Sequence, residues 1–224
     1  MLSKSLLNKL LKAGTLAPSI DNCQPWQFST TDSSVTICLD HERAEFFGDY
    51  AYTASYVTMG MVAENIALAA SDNGLRTEVT PFPEGPDGAV ARIEFSEAEV
   101  ESDPLAAFLE TRCTNRNAYK KIPLSDDVSR RLAATTAPQG AHLHLIEDRK
   151  IMRSIASLGA AVDSIIFNHP LLHANLFRWI RWNEREIRAT RDGMPTGSLE
   201  LSSQERLFFR MLSSWQLQKL LNLF

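Results

Sequence analysis

Cysteine is scarce. Cys23, Cys38 and Cys113 are the only three in 224 residues. An odd number without framework spacing excludes a disulfide scaffold and suits a reducing cytoplasm. Basic excess is missing too: the net charge is −4 and the pI is near 5.8. Too little positive charge remains to neutralise a phosphate backbone, so a nucleic-acid partner is not expected. No apolar run approaches the roughly 20 residues of a membrane span, so no integral membrane contact is expected. The leucine-rich start, Met1 to Leu11, is interrupted by Lys4 and Lys9 and lacks a convincing cleavage site. It reads as an amphipathic helix and not as a signal peptide. There is no G-x-G-x-x-G fingerprint and no phosphate-binding P-loop. No Ser/His/Asp or Cys/His pattern is present. His169 and His173 are spaced i, i+4, but Pro170 lies between them and no thiolate is near. No metal site is expected.

What is present divides into apolar-periodic helices and short β-runs. Leu2, Leu6, Leu7, Leu10 and Leu11 predict a helix over residues 3–15, ended by Gly14 and Pro18. Residues 26–28 and 35–39 predict a hairpin with 30–34 as its turn. Residues 54–73 predict a buried helix with a face of small residues, closed by Asn73-Gly74. Two more strands are expected at 75–81 and 90–95. Beyond them the pattern predicts helices from Pro104 to Glu110, 126–135 and 149–167, and a strand at 141–146. The basic, tryptophan-bearing run 176–188 reads as one amphipathic helix. Residues 192–197 read as a loop, and 207–224 as an apolar helix reaching the last residue. An apolar helix without a stop signal gives the expectation that a longer natural protein is truncated here.

A short repeat links the halves. Ala13-Gly14-Thr15-Leu16-Ala17-Pro18 aligns with Ala133-Ala134-Thr135-Thr136-Ala137-Pro138, four identities in six. The helix with Gly60, Val62 and Ile66 is echoed by the one with Gly159, Val162 and Ile165. In the second copy, Gln139-Gly140-Ala141-His142 replaces Ser19-Ile20-Asp21-Asn22.

Two stretches carry candidate chemistry. Ala17 to Phe28 places Ser19, Asn22 and Gln24 between Pro18 and Pro25, with Trp26 following. Small polar side chains between rigid prolines suit a loop that offers donors and an aromatic face to a ligand; a plain turn is the alternative. Arg112-Cys113-Thr114-Asn115-Arg116 sets two guanidiniums four residues apart. Such a pair can grip a phosphate bidentately, or can be a solvated loop paired to surface acids.

Together the stretches resemble a family. Ala-Pro-Ser-x-x-Asn-x-Gln-Pro-Trp-x-Phe after the first helix is similar to the signature of the FMN-dependent nitroreductases. Arg-x-Thr-Asn-Arg opening a degenerate second copy resembles their Acg-type branch, in which two units are fused as an internal pseudo-dimer. The resemblance implies an α+β, nitroreductase-like fold with an internal pseudo-duplication, residues 1–100 forming a first half and 101–224 an incomplete second half. It implies FMN as cofactor, NAD(P)H as reductant and a nitroaromatic or quinone-type small molecule as electron acceptor. Arg112, Thr114, Asn115 and Arg116 would take the FMN phosphate side. Ser19, Asn22 and Gln24 would face the flavin or its ribityl chain, with Pro18, Pro25 and Trp26 shaping that wall. No side chain need act as acid or base. Since only one complete site can be assembled from the two copies, at most one FMN per chain is expected. A lid at 176–203 that blocks hydride donors would make the chain a non-catalytic flavin-binding or sequestering protein instead. A full-length chain would be a monomeric pseudo-dimer, whereas the truncated chain is open to self-association.

Overall fold

The computed structural model describes residues 2–44, 48–136 and 142–221. They form two compact units: Met1–Asn115 with Phe177–Ser203, and Arg116–Leu176 with Gln204–Phe224.

In the first unit, helix α1 (Lys4–Thr15) starts where the Ser3 hydroxyl accepts from the Leu6 amide at 3.2 Å. The hairpin β1 (Trp26–Thr30) and β2 (Ser34–Leu39) follows, then a single turn, α2 (His41–Ala44). Helix α3 (Thr53–Ser71) runs for five turns and ends before Gly74. A second hairpin, β3 (Leu75–Pro81) and β4 (Ala91–Glu97), completes an antiparallel sheet of order β1-β2-β4-β3. Val35 opposes Ile93 across the β2–β4 seam, and the alternate residues of β4 (Ala91, Ile93, Phe95) are buried.

The core lies between this sheet and the two long helices. Leu10 of α1, Met59, Val62 and Ile66 of α3, and Val35, Ile37 and Ile93 of the sheet are fully buried. Each contributes on the order of 1.5–3 kcal/mol by leaving water. Because α3 is covered by both α1 and the sheet, it is apolar nearly all round. Gly14 permits the close approach: a Cβ there would sit 2.9 Å from Cγ1 of Ile66. Pro104–Phe108, expected as the start of a helix, forms only a 3-10 turn.

The second unit is helical. Helix α4 (Asp126–Thr136) is capped by Ser125, and α5 (Arg149–Asn168) by Asp148, whose carboxylate accepts from the Lys150 and Ile151 amides. Helix α6 (Pro170–Arg178) then leads the chain back to the first unit. His173 is buried, with its Nε2 2.8 Å from the Leu212 carbonyl and its ring against Trp215. On α5, Ile151, Ile155, Leu158, Val162 and Ile165 form an exposed apolar stripe. Helix α5 has the length and the mean hydropathy, 1.2, of a membrane span, though no uninterrupted apolar run. Arg153, Ser154 and Asp163 within it make it amphipathic, so its composition is not that of an all-round apolar span.

Three further sequence expectations are corrected. Of the strand expected at 141–146, residue 141 lies outside the described residues and 142–146 form no strand: no partner strand is present among the described residues of this unit, and an unpaired strand leaves its amides unsatisfied. The helix expected over 176–188 is broken. After α6 come a two-residue strand, β5 (Ile180–Arg181), a new helix, α7 (Glu184–Thr190), and a second short strand, β6 (Met194–Pro195), parallel to β5. Asn183 forces the restart, its Oδ1 accepting from the Glu186 amide at 3.0 Å while Glu186 reaches back to the Trp182 amide at 2.7 Å. Finally, the closing helix expected over 207–224 is two in its described part, α8 (Ser203–Leu212) and α9 (Trp215–Leu221), separated at Ser213-Ser214; residues 222–224 lie outside the described residues. The second copy of the repeat runs into residues 137–141, outside the described residues; the remainder of that unit shows no counterpart of β1 to β4 among them.

Candidate functional site

The loop after α1 is built by local hydrogen bonds that force unusual backbone. Asn22 donates its amide to the Ser19 carbonyl at 3.1 Å, and Cys23 donates to Ile20 at 2.8 Å. The Ser19 hydroxyl accepts from the Gln24 amide at 3.0 Å. Closing so tight a turn places Asp21, Asn22 and Gln24 at φ of 47°, 56° and 52°, left-handed values that non-glycine residues seldom adopt. Strain of this kind is stored where side chains must be held in a fixed direction. Pro25 is buried and hands the chain to β1, its carbonyl accepting from the Asp40 amide at 2.9 Å. Trp26 is half-buried against the core.

A strap from later in the same unit lies on this loop. The Asn22 side chain donates Nδ2 to the Gly193 carbonyl at 2.9 Å, and the Gly193 amide donates to the Asn22 carbonyl at 3.1 Å. Gln24 Nε2 donates to the Arg191 carbonyl at 2.8 Å. Between these bonds sits Asp192. Arg181 meets its Oδ1 at 2.6 Å, and Arg43, which also donates to the Cys23 carbonyl at 2.9 Å, meets its Oδ2 at 3.3 Å. Burial would raise the Asp192 carboxyl, but hydrogen bonds from Arg181 and Thr190 and the charges of Arg181 and Arg43 outweigh it, holding the carboxyl below its ordinary range. Gly193 has no substitute here: its φ is +73°, and a Cβ would lie 2.5 Å from the Trp179 carbonyl. Beneath the loop, burial pushes the Cys23 thiol up to about 11 against an opposing hydrogen bond from Ser19. That thiol is therefore inert at neutral pH.

The loop borders two cavities. Pro18, Ser19 and Ile20 meet Asp49, Thr53 and Val57 around a mainly apolar cavity of about 640 Å³. Its one charged wall, Asp49, already accepts from the amides of Ala54 and Ser55 at 2.8 and 3.0 Å, which caps α3. Asn22 and the strap residues Arg188, Arg191, Asp192, Gly193 and Pro195 border a second cavity of about 540 Å³. The candidate residues thus divide, Pro18 and Ser19 to one cavity and Asn22 to the other.

Of the arginine segment, Arg112, Thr114 and Asn115 fall in the first unit and Arg116 in the second; all four are exposed. Arg112 Nη2 donates to the Leu16 carbonyl at 3.4 Å. That contact brings the start of the segment to the end of α1, two residues before Pro18. Arg43, Arg181 and Asp192 were not foreseen as site residues. Asp192-Gly193 and Arg43 are visible as loop residues, but nothing local signals an ion pair between positions 149 residues apart.

The sequence comparison agrees with the resemblance read from these two stretches. The chain is 26% identical over 203 residues to the Mycobacterium tuberculosis protein named "Putative NAD(P)H nitroreductase acg", covering 89% of this chain and 60% of that protein. A second relative, "Uncharacterized protein MT1398" of Mycobacterium tuberculosis CDC 1551, is 30% identical over 200 residues, 87% of this chain and 27% of that one. No protein-family model matches the chain. Among solved structures, the FMN-dependent nitroreductase of Clostridium difficile R20291 aligns over 52% of this chain and 90% of its own, at 15% identity and a TM-score of 0.36. A nitroreductase family protein of Streptococcus pneumoniae TIGR4 aligns over 57% and 88%, at 13% identity and a TM-score of 0.36. The chain is thus similar to the Acg-type nitroreductases through most of its length, and spans 60% of the length of acg.

Proposed function

We propose that this chain binds FMN and belongs to a nitroreductase-like oxidoreductase that passes hydride from NAD(P)H to a nitroaromatic or quinone-type acceptor. The observation that carries the proposal is the Arg112–Leu16 hydrogen bond, which brings the first residue of the arginine segment to the entrance of the Pro-Ser-x-x-Asn-x-Gln-Pro-Trp loop within the first unit. The donor set fits the group. Pro18 and Ser19 border an apolar cavity within the usual range of about 300–1,000 Å³ for ligand sites. Arg112, Thr114, Asn115 and Arg116 offer guanidinium, hydroxyl and amide donors to a phosphate. Pro25 and Trp26 would form the rigid wall and Ser19 the polar contact of this cavity, with Asn22 and Gln24 joining it once their amides leave the Gly193 and Arg191 carbonyls.

Bound FMN supplies hydride and electron transfer; the protein's part is binding, orientation and exclusion of water. Arg112 and its neighbours fix the phosphate end, and the strained loop holds its polar groups without further ordering. A small-molecule acceptor and a cytoplasmic location accord with this reading. The exposed stripe on α5 accords with self-association of the chain.

A second reading is favoured by the strap. Because the Asn22 and Gln24 amides already donate to Gly193 and Arg191, the closed arrangement withholds two of the expected flavin contacts and supports a flavin-sequestering protein. NADPH oxidation by the FMN-loaded protein in the presence of a nitroaromatic separates the readings. Turnover supports the reductase; retained flavin without turnover supports sequestration.

A further inference from the structure

Arg191 stands where a glycine would be easier. It caps α7 in the left-handed region at φ 55°, the position that most often falls to glycine at a helix end. The backbone there is fixed from both sides. The Arg191 amide donates to the Ile187 carbonyl at 2.9 Å, and its carbonyl accepts from Gln24. What an arginine adds over a glycine at this φ is its side chain, and that side chain borders the 540 Å³ cavity.

The charges around that cavity are unevenly matched. Asp192 is held by Arg181 and Arg43. Glu186 is turned to the Trp182 amide and the Asn183 side chain, at 2.7 Å each. Glu184 meets Arg188 at 3.7 Å with both side chains about four-fifths exposed, a pairing that solvent screens and an anion readily displaces. The guanidinium of Arg191 forms no ion pair among the described residues. The cavity therefore faces two arginines with little compensating charge. The carbonyl end of α7 opposes an anion, but it is a short helix and its last carbonyls are partly satisfied by the cap.

We propose that the cavity bordered by Asn22, Arg188, Arg191 and Gly193 binds a phosphate monoester, with Arg191 and Arg188 as its clamp. The arginine fork matches a phosphate's oxygens bidentately. FMN carries a single phosphate, and that is assigned above to the segment from Arg112 to Arg116. Resting on the reductase reading, the second phosphate is the 2′-phosphate of NADPH, which makes Arg188 and Arg191 the residues that distinguish NADPH from NADH.

The test is calorimetric titration of the flavin-free 224-residue chain with adenosine 2′-monophosphate, adenosine and inorganic phosphate. Adenosine 2′-monophosphate is expected to bind at least about tenfold more tightly than adenosine, as a charge-assisted bidentate contact requires. Arg191→Gly should remove most of that advantage while the melting temperature stays level or rises, since glycine takes φ 55° without strain. Arg188→Gln, at an exposed position, should lower the affinity severalfold. Equal binding of adenosine and its 2′-phosphate, or unchanged binding in both variants, overturns the site. Inorganic phosphate bound as tightly as the nucleotide overturns the dinucleotide assignment. No flavin enters the titration, so a failure here is distinct from a failure to bind FMN.

Discussion

Asn22 and Gly193, 171 positions apart, exchange two hydrogen bonds: Nδ2 of Asn22 to the Gly193 carbonyl at 2.9 Å, and the Gly193 amide to the Asn22 carbonyl at 3.1 Å. The pair fastens a late strap onto an early loop. The strap holds only if its own backbone can approach so closely.

Gly193→Ala should break the fastening. A Cβ has no room beside the Trp179 carbonyl and the Arg181 guanidinium, and φ +73° is unfavourable for alanine. A loss on the order of 2 kcal/mol or more is expected from strain and overpacking combined. Limited trypsin digestion should then cut at Arg188 or Arg191 well before the native protein is cut. Equal cutting rates would show that the strap does not depend on this glycine.

Asp192→Asn should loosen the same strap by charge. In the native protein the carboxyl is held below its ordinary value of 3.8. The stabilisation is therefore complete above that value and is lost as pH falls through the lower folded one. Melting temperatures measured from pH 7 to pH 3 should fall more steeply at the acid end for the native protein than for Asp192→Asn. At pH 7 the variant should be less stable by about 1–3 kcal/mol, the cost of unpairing two partly buried arginines. Parallel curves would remove the ion pairs from the account.

Gly14→Ala reverses the usual sign of a helical glycine replacement. Alanine ordinarily gains up to about 1 kcal/mol in a helix. Here the new methyl meets Ile66 Cγ1 at 2.9 Å, so a net loss of about 1–3 kcal/mol is expected. Ile66→Val in the same chain should recover part of it, which denaturant unfolding of the double-mutant cycle measures. Stabilisation by Gly14→Ala alone would contradict the packing described between α1 and α3.

Thiol titration provides a further check. Cys113 is exposed and should react with a disulfide reagent at once, whereas Cys23, buried and with its thiol raised to about 11, should react only on unfolding. Rapid modification of Cys23 in the native state would mean that the loop opens readily.

These predictions rest on features of unequal legibility. The periodic leucines of α1, the small apolar residues of α3 and the alternating strands β1 to β4 declare themselves, because each pattern is local and its burial is one-sided or complete. The break after Arg178 is less visible. Trp179 and Ile180 keep a helical rhythm while being buried in an extended segment, and only Asn183 with Glu186 marks a restart. The stretch 141–146 has the composition of a strand, but its described part, 142–146, finds no partner strand among the described residues of its unit. At the site, the proline-bounded loop was readable from its residue types. Its engagement with Arg191 and Gly193 was not, since a contact between a loop and a strap so distant in sequence leaves no periodicity behind. The left-handed Asp21, Asn22 and Gln24 were equally hidden, there being no glycine to announce them.

The central claim is tested most directly by titrating the 224-residue chain with FMN and following flavin fluorescence. Saturation at one FMN per chain is expected, with affinity weakened by about tenfold or more in Arg112→Ala, which removes a charge-assisted phosphate contact. Absence of saturable binding, a ratio near two, or an Arg112→Ala variant that binds as the native protein does would contradict the account.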